Sequence, residues 1–245
     1  MKQFLVLAAI ATASLAAPPA VHRDGAPALK PRAVRVAQQI LPPAPAAPQL
    51  AALPAESAPI PAFVEGQTQA AYDNWLARDP SARARVGGFE SFLKGQGLHG
   101  VLPTWQLTRT ASDYRKCDGP GFEVAPIEEW QHIADTLRFI QRHVEPVIGD
   151  VEAMSGYRNP ELNECAGGAK ESAHRRFFAL DLVPRREMAR AGMVRAICAI
   201  HGFRGRGYEI GLGFYNGLRF HVDSKGFRRW GPNGKGATSP CVTGG

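Results

Sequence analysis

The chain has 245 residues, 44% of them hydrophobic, with four Trp and twelve Phe; that is enough apolar surface to offset the entropy of ordering a core, which excludes a chain disordered throughout and leaves room for one ordinary domain with extensions. The formal charge is +7, a modest excess that draws a protein towards an anionic polymer such as cell wall or nucleic acid. The Lys and Arg residues are scattered, with no basic stripe interleaved with aromatics, which argues against nucleic acid.

At the start, Lys2 supplies a short basic head, Phe4 to Ala13 is almost unbroken apolar, and Ser14-Leu15-Ala16 offers small residues at the cleavage-determining places, so residues 1–16 read as an export signal cleaved near Ala16. The apolar run is well short of the roughly 20 residues that span a bilayer, and no later segment is long and apolar enough to cross one. Residues 17–65 turn to Pro and Ala, as in Leu41-Pro42-Pro43-Ala44-Pro45, a composition that makes a semi-rigid extended spacer rather than a core.

Helices are expected over 69–77 and 89–94, ended by Asp79-Pro80 and Gly95. The strongest periodicity follows Pro126, where Trp130, Ile133, Leu137, Ile140 and Val144 recur at helical steps, with Pro146 as the stop. Asp150 to Met154 reads as a strand running into the turn Ser155-Gly156-Tyr157-Arg158, which sets Arg158 just past a strand end. Ala179 to Val183 is a short apolar run halted by Pro184, a buried strand with one acid in it. A second amphipathic helix is expected over 187–200, closed by Gly202, and after a Gly-rich stretch the alternation of Leu218 to Asp223 predicts another strand. There is no internal repeat. The fold class is α+β, helices packed on a small, largely antiparallel sheet that carries the polar residues.

Cys117, Cys165, Cys198 and Cys241 form no Cys-x-x-Cys pair, which argues against a thiolate zinc site or a thioredoxin-like motif. An even count behind an export signal reads as disulfides made in an oxidising compartment such as the periplasm. Four cysteines allow three connectivities, and the sequence does not choose among them; our preference is Cys117 with Cys165 and Cys198 with Cys241.

An ionisable carboxylate between Leu180 and Leu182 is costly to bury unless its charge is compensated. A cation would do that: His174, seven residues upstream, can fold back beside Asp181, and His221 on a neighbouring strand can add a third ligand. Two imidazoles and a carboxylate suit zinc, and three protein ligands leave a position for water, as in a catalytic site.

The words Ser155-Gly156-Tyr157-Arg158-Asn159-Pro160, Leu162-Asn163, Gly167-Gly168-Ala169-Lys170, Ser172-Ala173-His174, Ala179-Leu180-Asp181 and Phe220-His221-Val222-Asp223 resemble, in that order, the zinc D-alanyl-D-alanine carboxypeptidase family, whose hedgehog/DD-peptidase-like fold is shared with cell-wall endopeptidases and the zinc domain of hedgehog proteins. The resemblance covers about residues 151–230. It implies a peptidase domain over 66–245, with an N-terminal helical part over 66–124 and a catalytic core over 125–241. It also implies Zn2+ held by His174, Asp181 and His221 in a cleft, a metal-activated water as nucleophile, and peptidoglycan stem peptides as substrate, cut as a carboxypeptidase or a cross-link endopeptidase. The family's Tyr-Arg pair falls on Tyr157, a substrate contact, and Arg158, whose guanidinium would offset the negative charge built on the attacked carbonyl.

Two positions depart from the family pattern. Phe177 stands where a Gly usually follows the first histidine, and Leu218 stands where many members carry a general-base carboxylate. Asp223 is then the candidate base, with orientation of a ligand histidine as its alternative role; Glu209 and His201 are further candidates. Ser172 fixes the ligand loop or touches substrate, and Lys170 and Gly168 shape that loop. The competing readings are a non-catalytic wall- or protein-binding module of the same fold with structural zinc, and a disulfide-bonded scaffold without metal. Nothing in the sequence fixes the oligomeric state.

Overall fold

The structure is a computed structural model, and it describes residues 65–244. The export signal over 1–16 and the spacer over 17–65, apart from Glu65, lie outside the described residues. Thr68 opens α1 (Gln69–Arg78) by accepting the Ala71 N–H at 3.0 Å. Asp79 ends α1 and at once caps α2 (Pro80–Gly95): its Oδ1 accepts the Ala82 N–H at 2.9 Å, and Pro80 fills the first helical position, where no N–H is needed. The Asp79-Pro80 stop is therefore also a start, and the helix expected over 89–94 is 16 residues long.

After the short α3 (Thr104–Leu107), the helix begun at α4 (Trp130–Phe139) loosens into a π turn over Ile140–Val144 and finishes as α5 (Glu145–Ile148). Pro146 does not end it. In the wider turn the Glu145 N–H reaches back to the Ile140 carbonyl, which accommodates a residue with no N–H of its own. The end comes at Gly149, with φ of 80°.

Then follow β1 (Val151–Ser155), α6 (Pro160–Cys165), β2 (Ala179–Pro184), α7 (Arg190–Arg204), β3 (Gly211–Phe214), β4 (Phe220–Asp223), β5 (Arg228–Trp230) and α8 (Pro240–Thr243). The sheet order is β1-β2-β4-β3-β5, antiparallel except between β3 and β5, so the α+β, largely antiparallel expectation holds. The helix expected over 187–200 starts later and runs through Gly202. β3 and β5 were not expected.

Alternation along the strands sorts the two faces. Leu180, Leu182, Leu212, Phe214, Phe220 and Val222 point to the core beneath α4 and are buried. The other face carries one register row across all five strands, in which Ser155 pairs with Asp181, Asp181 with His221, His221 with Gly213, and Gly213 with Trp230. Buried Arg109 ties the N-terminal part to β1, donating from Nη1 to the Ala153 carbonyl at 2.7 Å and from Nε to the Gln67 carbonyl at 2.9 Å. Disulfides join Cys117 to Cys165 and Cys198 to Cys241, the preferred pairing, and so pin α6 to the 3-10 turn Tyr114–Cys117 and α8 to α7. Among the described residues no helix is long and apolar enough to cross a membrane.

Candidate metal centre

Asp181 and His221 meet because they are register partners on adjacent strands. His174 joins them from the short 3-10 turn Ala173–Arg176, which Ser172 caps by accepting the His174 N–H at 3.3 Å. The three donor atoms face one another: His174 Nε2 lies 3.2 Å from His221 Nδ1 and 3.3 Å from Asp181 Oδ1, and His221 Nδ1 lies 3.0 Å from Asp181 Oδ1. All three residues are buried.

The chemistry of this set fits zinc. A tetrahedral zinc with bonds of about 2.0–2.1 Å holds its ligand atoms about 3.3 Å apart, which is the spacing found. Each imidazole also has its outer nitrogen engaged by an acceptor. His174 Nδ1 donates to the Gly156 carbonyl at 2.6 Å, which leaves the Nε2 lone pair for the centre. His221 Nε2 donates to Asp223 Oδ2 at 2.9 Å, which leaves Nδ1. Such outer partners fix tautomer and ring orientation in metal sites.

Burial, followed by the nearby Arg158, pushes His174 down to about 4. For His221, burial pulls the same way, but its bonds to Asp181 and Asp223 outweigh it and hold the ring above its ordinary value. Burial would raise Asp181, yet His174 and Arg219 hold it well below the usual carboxylate range. Asp223 resists burial likewise and is lowered to about 2, through His221 and Arg228.

Around the cluster lies an open cleft of about 590 Å³ lined by Arg158, Ser172, Tyr215, Arg219 and Trp230, among others. Arg158 donates from Nη2 to Asp181 Oδ2 at 2.7 Å and from Nε to Ser155 Oγ at 3.0 Å, with Nη2 3.4 Å from His174 Nε2. Arg219 donates to the same Asp181 oxygen at 2.7 Å, and the Tyr215 hydroxyl donates to Oδ1 at 2.9 Å. The Trp230 ring stands 5.3 Å from that of His221. Gly213 and Gly211 make room here: a Cβ at Gly213 would run into the Trp230 ring, and one at Gly211 into the Asp223–Arg228 pair.

Other residues singled out in the sequence lie elsewhere. Asp223 sits behind His221, bonded to its outer nitrogen, and takes both Arg228 amino groups at 2.9 and 2.8 Å and the Lys225 N–H at 2.8 Å. A carboxylate so occupied and so acidic does not suit a general base; its position is that of an orienting group. Tyr157 turns away from the cleft, packs edge-on against Phe177 and lines a separate depression with Trp130, so it is not among the residues lining the cleft. His201 is buried against Phe227 with Nε2 on the Ile210 carbonyl, and Glu209 is exposed on a shallow surface beside Ser224; neither lines the cleft. Leu218 is buried in the core.

Phe177 stands where the backbone conformation favours Gly. Its φ is 51°, left-handed, where a side chain costs energy. The ring is nevertheless buried, 5.7 Å from Phe89 and 6.2 Å from Tyr157.

Arg219, Tyr215 and Trp230 were not singled out in the sequence. Arg219 was within reach, because Arg219, His221 and Asp223 alternate at strand spacing and share a face. Trp230 was not, since it arrives through the parallel pairing of β5 with β3.

A family model described as Peptidase M15 matches residues 108–222, a span that includes Arg158, His174, Asp181, Arg219 and His221. No curated protein and no solved structure matches the chain. By that match the chain is similar, over residues 108–222, to the Peptidase M15 family, the metallopeptidases of zinc D-alanyl-D-alanine carboxypeptidase type.

Proposed function

We propose that this protein is a zinc peptidase that hydrolyses D-amino-acid peptide bonds in the stem peptides of peptidoglycan. The observation that carries the reading is the converging triad, three donor atoms 3.0 to 3.3 Å apart on two imidazoles and an acid. Zinc held there by His174, Asp181 and His221 supplies Lewis acidity, polarising the scissile carbonyl and acidifying water.

The chain's own residues do the rest. Arg158, steadied by Ser155 and Asp181, faces the charge that develops on the carbonyl oxygen; fixed donors are worth most in a site that excludes bulk water. Asp223 orients His221, and Ser172 holds the turn that delivers His174. Asp113 and Glu171, the carboxylates lining the cleft besides Asp181, are the groups available to take a proton from water and return it to the leaving amine.

Residues 66–245 act in this reading as one peptidase domain, the helical part over 66–124 buttressing the core over 125–241. Two disulfides suit an oxidising compartment, which supports export to the periplasm. The second reading, a non-catalytic module with structural zinc, draws on Leu218, buried where many relatives carry a base.

Mass spectrometry of muropeptides after incubation with zinc-loaded protein tests the proposal. Loss of one alanine or splitting of a cross-linked dimer, abolished by a chelator and restored by zinc, is expected. Wall binding with no change in the muropeptides would favour the module.

A further inference from the structure

We propose that the exposed end of α7, together with β5, is a docking surface for an anionic phospholipid bilayer, held by Arg204, Arg206 and Arg229 with the Phe203 ring entering the headgroup layer. The starting observation is the distribution of charge. Residues 188–208 and 224–245 hold eight Lys and Arg residues and no Asp or Glu, and the Cys198–Cys241 disulfide ties these two acid-free segments together. Along the chain they are separate and make no stripe; the fold brings them to one place.

Three contacts build the surface. Phe203, on the last turn of α7, is 79% exposed, and Arg204 lies over its ring with Cζ 4.6 Å from the ring centre. Arg206, in the 3-10 turn Gly205–Tyr208, lies over Phe227 at 4.5 Å, and Phe227 stacks in turn on buried His201 of α7, ring centres 4.5 Å apart. Arg229 is the register partner of Leu212, so it stands on the core side of the sheet, the side on which α7 buries Met193 and Ile197. Arg204, Arg206 and Arg229 are exposed, and none of the three makes an ion pair among the described residues. Neighbouring acids do not cancel them. Asp223 is buried and taken up by His221 and Arg228. Glu209 follows Arg206 by three residues and lines the shallow pocket with Asp135 and Arg138, which pair with each other, so it is one negative charge against three arginines.

An apolar ring held out at a helix end among cations suits a bilayer surface. The ring gains by leaving water for the acyl boundary, while guanidinium groups pair with lipid phosphates. A soluble anionic polymer would satisfy the arginines and leave Phe203 in water. The surface also lies on the α7 side of the sheet, and the metal cluster and its cleft lie on the other face, so a bilayer seated here leaves the cleft free.

The test is co-sedimentation of the full chain with vesicles of phosphatidylcholine alone and of phosphatidylcholine mixed with phosphatidylglycerol, at physiological ionic strength; it needs neither zinc nor turnover. Wild-type protein is expected to partition about 100-fold more strongly into the anionic vesicles, at about five-fold per arginine. The triple variant Arg204→Gln, Arg206→Gln, Arg229→Gln should lose most of that preference, and Phe203→Ser should lower partitioning into the anionic vesicles about 10-fold. A control triple variant, Arg78→Gln, Arg83→Gln, Arg85→Gln on α1 and α2, removes the same charge and should keep the preference. Circular dichroism spectra matching the wild type confirm folding, which the exposure of all these side chains favours. Equal partitioning of the wild type into both vesicles, an equal loss in the two triple variants, or no effect of Phe203→Ser overturns the proposal. So does binding to alginate, a soluble anionic polysaccharide, without binding to vesicles, which would assign the patch to a polymer.

Discussion

Asp223 and His221 are joined through the imidazole nitrogen that faces away from the cleft, Oδ2 to Nε2 at 2.9 Å, while the other nitrogen of the same ring faces His174 and Asp181. The carboxylate is backed by Arg228, so His221 is held from behind as a rigid unit. Asp223→Asn should therefore weaken zinc affinity by about 10- to 100-fold, with activity recovering as zinc is raised to saturation. Activity that stays absent at full zinc occupancy would make Asp223 the proton acceptor after all.

Arg158 separates from the candidate ligands His174, Asp181 and His221 in a different way. Arg158→Gln should keep its zinc, because Arg219 still neutralises Asp181, yet lose about 100- to 1000-fold in kcat, the scale seen when an oxyanion donor is removed. Parallel zinc analysis and steady-state kinetics check this; a variant with wild-type kcat refutes the role.

Phe177 sets strain against burial. Phe177→Gly relieves a left-handed backbone, worth about 1 kcal/mol, and empties a buried ring site, where loss of a Phe costs about 3–5 kcal/mol. A net destabilisation of about 2–4 kcal/mol in urea unfolding is expected. A more stable variant would mean that strain dominates.

The disulfides should divide their effects. Removing either by paired Cys→Ser substitution should cost about 2–4 kcal/mol of stability. Loss of Cys198–Cys241 touches α7 and α8, away from the cleft, and should leave kcat of the folded protein intact. Loss of Cys117–Cys165 frees the start of the loop through Gly167 and Gly168 that lines the cleft, and should lower kcat/KM as well. Indistinguishable kinetics in the two variants would contradict that division.

Several elements could be read from the chain because their signals are local. The strand around Asp181 announced its buried acid, and α4 its apolar stripe. Where one residue serves two elements the reading faltered: Asp79-Pro80 looked like a helix end and is also a cap, and Pro146 looked like a stop because a π turn leaves no mark in the periodicity. Gly211 and Gly213 hid β3: Leu212 and Phe214 alternate with them, but glycine at every second position reads as a loop, whereas here it yields side-chain space to Trp230 and Asp223. Tyr157 was drawn to the site by its neighbour Arg158, but consecutive residues point in different directions, and its ring went to Phe177 instead. The three donor residues of the cluster were legible as residue types, while the outer bonds that set each imidazole's free nitrogen depend on Gly156 and on strand pairing.

The measurement closest to the central claim is the zinc content of protein purified under mild conditions, taken by elemental analysis for the wild type and for His174→Ala, Asp181→Ala and His221→Ala, with circular dichroism as a check on folding. One zinc per chain in the wild type, and a loss of most of it in each folded variant, is the expected result. A wild type without zinc after reconstitution, or variants that keep a full equivalent, would contradict it.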